Sequence, residues 1–177
     1  SHLVEIMDGL IGVTYSEFDN RVGPQLRMQY PEGVLSEESF ETLSDYVIVG
    51  KQLLNRVIVV KHESYQFANY SVAIDNAKYE RNALLFALGI VFKIDADTKP
   101  YEAILRKACS MLVSLELERE FLFNKDTKKQ VAVILENLFI QLKNTGEVFM
   151  KIDAANVLCL KLFKEPLPPA PVDDWEV

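Results

Sequence analysis

One arginine stands where it could do chemistry on another protein. Arg81 follows Tyr79 and Glu80 in a polar turn, and an apolar run typical of a buried strand begins at Ala83. A guanidinium group is planar and permanently charged, so on a short loop it can reach a partner's nucleotide and match its phosphate oxygens. The spacing alone favours a solvated structural arginine, because isolated surface charges usually contribute little. Both interpretations stay open at this point.

Other kinds of active site find no support in the sequence. With His2 set aside as a tag residue, His62 is the one histidine left, and no second titrating residue is implied beside it. We therefore predict a structural histidine and not part of a hydrolase triad or metal site. Gly9 and Gly12 begin a strand pattern, the wrong order for a Rossmann fingerprint, and no Walker-type loop occurs. We expect no cofactor, no metal and no enzymatic activity of the chain by itself.

Two further pairs of residues, one acidic and one of cysteines, are of types that can take part in catalysis or metal binding. Glu116 and Glu120 lie in a helical pattern in which acids alternate with other residues. Such acids fan out around a helix, so we predict a solvated ridge and not an acid-base pair. Cys109 and Cys159 lack the spacing of a zinc site or redox pair. We predict that both are small buried apolar residues in a reducing compartment.

The composition limits the partners. The chain has 177 residues, 49% hydrophobic and 25% charged, which is typical of a folded domain. Its net charge of −7, from 19 basic and 26 acidic residues, argues against nucleic-acid binding, which needs clustered Lys and Arg. No apolar run reaches the length of about 18 residues that a membrane span requires, and no leader peptide is recognisable. We expect no direct membrane insertion.

The elements that must position Arg81 follow from hydrophobic periodicity. Strands are predicted at residues 9–18, 25–30, 57–61, 66–74 and 83–92. The last is nearly continuous in apolar residues, so it should be central in the sheet. Ser36 is predicted to cap one short helix that runs to about Val49 and ends at Gly50.

Two long helices should follow the sheet. The first is predicted at residues 100–123, and the second is capped by Asp126 or Thr127 and ends at Gly146. Each has one apolar stripe, so both should pack on one face of the sheet.

The end of the chain is predicted to add a hairpin and a tail. Residues 147–152 and 157–163 alternate in hydrophobicity like a closing β-hairpin. Four prolines in residues 164–171 indicate an extended linker. We therefore predict one domain over residues 3–163, and a proline-rich linker or tail over 164–177 that leads to absent C-terminal domains.

Several short segments together resemble a known family. They are YSEF at 15–18, VGP at 22–24, YPE at 30–32, KYERNALLFALG at 78–89, LELE at 115–118 and, less distinctively, ID at 152–153. With the predicted elements, they resemble the N-terminal longin domain of the nitrogen permease regulator 2 family over residues 9–163. The expected fold is α+β: an antiparallel five-stranded sheet with one short helix, two long helices and a C-terminal β-hairpin.

The resemblance implies a function for the arginine. Members of this family belong to a complex that activates GTP hydrolysis by a Rag-type small GTPase, which signals amino-acid sufficiency to the target-of-rapamycin kinase. At the matching position, Arg81 would be the catalytic arginine finger supplied in trans, and Lys78, Tyr79 and Asn82 would support its loop. Asn82 could also merely shape the turn, because asparagine tolerates left-handed backbone angles.

The resemblance also implies partners and a location. The domain would pair with the longin domain of a nitrogen permease regulator 3 type subunit. The complex would be cytoplasmic and recruited to the surface of the lysosome or vacuole. Two alternatives remain: a longin domain that serves only in assembly, with a solvated Arg81, and a vesicle-trafficking longin domain.

Overall fold

The computed structural model describes residues 9–47 and 53–144. The strands are β1 (Leu10–Asp19), β2 (Gly23–Tyr30), β3 (Val57–His62), β4 (Tyr65–Asp75) and β5 (Ala83–Lys93). The helices are α1 (Glu37–Leu43), α2 (Lys99–Arg119), α3 (Lys125–Lys128) and α4 (Val131–Asn144). Two short 3-10 turns lie at Ser44–Tyr46 and Glu80–Asn82. The predicted α+β class and its five strands are confirmed.

The five strands form one antiparallel sheet in the order β2-β1-β5-β4-β3. β5 is the central strand, as its apolar sequence predicted, and its residues from Phe86 to Phe92 are all buried. A central strand is covered on both faces, so it needs apolar side chains at successive positions. The segment Glu80–Asn82, which contains Arg81, is thus joined directly to the central strand of the sheet.

The two faces of the sheet carry different helices. Side chains of β5 alternate: Phe86 and Leu88 join the core under α2 and α4, whereas Ala87 and Val91 join the core under α1. Both long helices therefore pack on one face, as predicted. Cys109 of α2 is fully buried in that core, which confirms its predicted role as a small apolar residue.

The first helix begins as predicted and ends early. The Ser36 hydroxyl accepts a hydrogen bond from the backbone N–H of Ser39 at 3.1 Å, as a helix N-cap does. The α-helix ends at Leu43 and one 3-10 turn follows, whereas the sequence predicted a helix to about Val49. Gly50 lies outside the described residues.

The second half departs from prediction at the junction between the long helices. α2 ends at Arg119 and not at Phe123, because Glu120 adopts a left-handed backbone with φ 52°. The next helix is capped by Asn124, not by Asp126 or Thr127. The Asn124 carboxamide oxygen accepts the N–H of Asp126 at 2.9 Å, whereas the Thr127 hydroxyl turns inward.

The predicted single helix after this junction is two helices, α3 and α4. In the described part of the chain, none of the helices α1 to α4 is long and apolar enough to cross a bilayer. Gly146, the closing hairpin, Cys159 and the proline-rich tail lie outside the described residues.

Candidate functional site

Arg81 lies in the loop of residues 76–82, which joins β4 to β5 and is called here the Arg81 loop. Asp75 and Ala83 are register partners at the ends of the two strands, so the loop stands at one end of the sheet. The backbone N–H of Asn76 donates to the carbonyl of Asn82 at 2.9 Å and closes the base of the loop. The N–H of Asn82 donates to the carbonyl of Tyr79 at 3.0 Å. These bonds give the loop one defined backbone path.

The backbone of Arg81 is unusual. Arg81 and Asn82 are consecutive left-handed residues with φ 54° and 62°. Asparagine visits this region readily, which agrees with the alternative that Asn82 shapes the turn. For arginine the Cβ makes this conformation costly by about 1–2 kcal/mol. Such strained residues cluster at functional sites, because the surrounding structure must hold them in place. The sequence did not predict this conformation for Arg81.

The Arg81 side chain is exposed. Within residues 9–47 and 53–144, no carboxylate lies within ion-pair distance of its guanidinium group. The charged neighbours in the loop are engaged elsewhere. Lys78 Nζ lies 3.1 Å from Glu120 Oε1, and Glu80 Oε2 accepts a hydrogen bond from the Asn20 side chain at 2.8 Å. Among the described residues, the guanidinium of Arg81 is therefore not neutralised by a carboxylate.

Tyr79 attaches the Arg81 loop to the long helix. The side chain is buried, with 7% exposure, and its ring meets Phe123 edge-on at 5.6 Å between centroids. Its hydroxyl donates a hydrogen bond to Glu116 Oε2. Lys78 Nζ lies 5.1 Å from the centre of the same ring. Of the residues predicted to support Arg81, Lys78 and Tyr79 thus contact the end of α2 and the segment after it.

The predicted solvated ridge of acids is wrong for Glu116. Its side chain is fully buried, and Oε1 accepts the backbone N–H groups of Leu122 and Phe123 at 2.8 and 3.0 Å. The physical reason is the left-handed turn at Glu120, which folds the following N–H groups back onto the carboxylate. Glu120 itself stays 40% exposed, in a surface ion pair with Lys78.

Sequence reasoning missed Glu116 although a signal was present. Cys109 and Leu112 precede it by seven and four residues, which is the spacing of one helix face. Both of those residues are fully buried. An acid at a core-facing position requires hydrogen-bond partners. The prediction followed the alternation of acids in this segment and therefore placed Glu116 together with Glu120 on a solvated face.

The ionisation of Tyr79 follows from these contacts. Burial, and then the hydrogen bond to the Glu116 carboxylate, raise the pKa of Tyr79 well above its ordinary value, because both disfavour a charged phenolate. The phenol therefore remains a hydrogen-bond donor at neutral pH.

We expect a pH dependence of stability that Tyr79 causes. Its pKa is raised in the folded state above the ordinary value of 10.0. Above pH 10 the folded chain binds more protons than the unfolded chain, so the free energy of unfolding falls as pH rises. Urea unfolding between about pH 8 and about pH 11 should show a shallower fall for Tyr79→Phe than for the parent. Tyr46→Phe, which removes an exposed phenol, is the control, and equal slopes for Tyr79→Phe and the parent would contradict the prediction.

The environment of His62 differs from the prediction. His62 lies 3.4 Å from the Glu63 carboxylate and packs edge-on against Tyr65, so it does have a titrating neighbour, unlike the prediction. In the described part of the chain, no three His, Cys, Asp or Glu side chains are grouped to hold a metal ion. The Arg81 loop presents an exposed guanidinium on a hydrogen-bonded backbone.

Comparison with known proteins agrees with the resemblance. A family model described as Nitrogen permease regulator 2 matches residues 8–177. The Nitrogen permease regulator 2 homolog of Schizosaccharomyces pombe is 27% identical over 170 residues, which cover 92% of this chain and 41% of the relative. The GATOR complex protein NPRL2 of Drosophila melanogaster is 30% identical over 163 residues, which cover 92% of this chain and 39% of the relative.

A third relative is the Nitrogen permease regulator 2 of Saccharomyces cerevisiae, which is 29% identical over 112 residues, 62% of this chain and 18% of the relative. The chain spans about two fifths of the length of the first two relatives. The family model, in contrast, covers nearly the whole chain and includes the Arg81 loop. The chain therefore belongs to the nitrogen permease regulator 2 family.

Proposed function

We propose that this chain is part of a GATOR-type complex and supplies Arg81 in trans to the nucleotide site of a Rag-type small GTPase. The family membership and the name of the Drosophila relative support the complex. The observation that carries the role of Arg81 is its geometry: an exposed guanidinium on a hydrogen-bonded loop, with a left-handed backbone at φ 54°. By stimulating GTP hydrolysis, the complex would inhibit target-of-rapamycin signalling when amino acids are scarce.

The chemistry fits what a small GTPase lacks. Intrinsic GTP hydrolysis is slow because charge develops on oxygens between the β- and γ-phosphates in the transition state. An arginine that enters the site donates hydrogen bonds to those oxygens and neutralises the charge. The chain then needs no active site of its own. The GTPase supplies the nucleotide, the metal ion and the attacking water.

Assembly is the second part of the proposal. The domain pairs with a longin domain of a nitrogen permease regulator 3 type subunit, and the complex acts from the cytoplasm at the lysosomal or vacuolar surface. Both statements rest on the family membership. The Arg81 loop stands at one end of the sheet, so pairing along a sheet edge or a helix face leaves it accessible.

Single-turnover GTP hydrolysis tests the role of Arg81. The full-length protein is assembled with its partner subunits and mixed in excess with a GTP-loaded Rag-type GTPase. We expect the Arg81→Ala complex to lose stimulation. Arg21→Ala is the matched control, because it removes an exposed arginine from the neighbouring turn between β1 and β2 and should keep the rate. If the Arg81→Ala complex is as fast as the parent, the finger is wrong and the domain serves only in assembly.

A further inference from the structure

We infer that Glu116 is the positioning residue for Arg81: its buried carboxylate holds the Arg81 loop in the geometry that presents the guanidinium. This inference rests on the proposed function. Glu116 touches no nucleotide in this arrangement and acts through Tyr79. The residue lies on α2, far along the chain from the loop that it holds, and it was predicted to be solvated.

Both oxygens of the Glu116 carboxylate are used. Oε1 accepts the N–H groups of Leu122 and Phe123, which fixes the carboxylate to the turn after α2. Oε2 accepts the Tyr79 hydroxyl and lies 4.0 Å from Lys78 Nζ. One buried group thus joins two consecutive residues of the Arg81 loop to the end of the long helix. Each oxygen of the carboxyl group thus acts as an acceptor in these contacts.

The backbone of Tyr79 is coupled directly to the backbone around Arg81. Tyr79 precedes Arg81 by two residues, and its carbonyl accepts the N–H of Asn82 at 3.0 Å. This hydrogen bond spans Arg81 and joins the residue that follows it to Tyr79, whose ring is held by Glu116 and Phe123. A shift of that ring changes the carbonyl position and, with it, the left-handed backbone at Arg81.

The anchor also explains how the strained backbone persists. A left-handed arginine relaxes to a common conformation unless contacts on both sides hold it. Holding the loop before a partner arrives removes the cost of ordering its backbone from the later binding step. A guanidinium that is already oriented can then contact the phosphate oxygens without a further rearrangement of the loop. Loss of the anchor should therefore lower the rate of hydrolysis more than the affinity for the GTPase.

Two variants remove different parts of the anchor. Glu116→Gln keeps the size of the side chain, and its amide oxygen can accept the N–H groups after α2. Its NH2 group then faces the tyrosine hydroxyl and, being a donor, cannot accept the hydrogen bond that the carboxyl oxygen accepts. Tyr79→Phe keeps the ring against Phe123 and removes only the hydroxyl. Glu118→Gln is the control, because Glu118 is exposed on the same helix. Using two variants keeps the test decisive if one of them fails to fold.

The first measurement follows amide hydrogen exchange of residues 76–82 in the assembled complex. We expect faster exchange in this loop for Glu116→Gln and Tyr79→Phe, while exchange in the sheet and in the Glu118→Gln control stays as in the parent. Unchanged exchange in the loop for both variants overturns the inference. This readout needs no GTPase, so it does not depend on the proposed function.

The second measurement separates rate from binding in single-turnover hydrolysis. We expect the rate at saturating complex to fall about 10- to 100-fold for both variants, because a small misplacement of a catalytic group has effects of this size. The concentration for half-saturation should stay within about twofold of the parent. A merely structural role would weaken rate and binding together, and that result overturns the inference.

The Arg81→Ala complex, measured beside them, distinguishes the two proposals. If Arg81→Ala abolishes stimulation and the two anchor variants do not lower the rate, the positioning role is wrong and the finger stands. If Arg81→Ala leaves the rate unchanged, the proposed function fails, and hydrogen exchange alone then decides whether Glu116 holds the Arg81 loop.

Discussion

Replacing Arg81 by lysine is expected to lower the stimulated rate of GTP hydrolysis by on the order of 10³, although the substitution keeps the positive charge. A guanidinium presents several N–H donors in a fixed plane and can bind two phosphate oxygens at once. An ammonium is a strongly hydrated point charge that does not reproduce this fork. Alanine should lower the rate at least as far.

The structure makes this comparison a clean one. Lysine bears the same Cβ as arginine, so the left-handed backbone at residue 81 costs the same in both proteins. The side chain is exposed and forms no ion pair with the described residues. Single-turnover rates of the parent, Arg81→Lys and Arg81→Ala complexes give the comparison, with Arg21→Lys as the control. A lysine complex that retains most of the parent rate would show that charge alone is used and that the fork is not.

Gly89→Val is expected to destabilise the fold by about 3 kcal/mol, at the upper end for overpacked cores. Gly89 lies in the middle of β5, where a Cβ would stand 2.5 Å from Phe67 Cζ and 2.5 Å from Thr14 Oγ1. Phe67 and Thr14 are fully buried, so neither can move into solvent. Since folded domains are stable by only about 5–15 kcal/mol, this loss is a large fraction of the total.

The control for Gly89→Val is Gly33→Ala. Gly33 has a positive φ of 76° and no atom within 4 Å of the added Cβ, so its cost is backbone strain alone, about 1 kcal/mol. Urea unfolding of the two variants against the parent measures the difference. Equal destabilisation at the two sites would mean that crowding at Gly89 is relieved by movement of β1 or β4.

Two buried acids join neighbouring elements at the end of the sheet that carries the Arg81 loop. Besides Glu116, the buried Glu17 of β1 accepts the Tyr15 hydroxyl at 2.6 Å and pairs with Lys128 Nζ at 3.1 Å. The second contact joins α3 to the strand. Satisfied polar groups of this kind favour one geometry, because any other leaves a charge unpaired in the interior. The Arg81 loop is thus attached to an end of the domain where buried acids join the helices to the rest of the fold.

Most of the fold was accessible from local pattern. Strand periods, the continuous apolar run of β5 and the Ser36 cap each depend on residues close together in the chain, and all three predictions are confirmed. The junction after α2 was not accessible. Its path depends on a left-handed residue at Glu120, which is not a glycine and gives no signal in the sequence.

Local patterns in the amino-acid sequence were enough to predict the five strands, the central position of β5, the family and the turn that holds Arg81 before a buried strand. The left-handed backbone of Arg81, the burial of Glu116 and its hydrogen bond to Tyr79 emerged only from the packed fold. The reason is separation along the chain: Tyr79 and Glu116 lie 37 residues apart, and their hydrogen bond exists only when α2 packs on the sheet. A pattern of neighbouring residues records burial and period, whereas a contact between distant residues is set by how the elements pack.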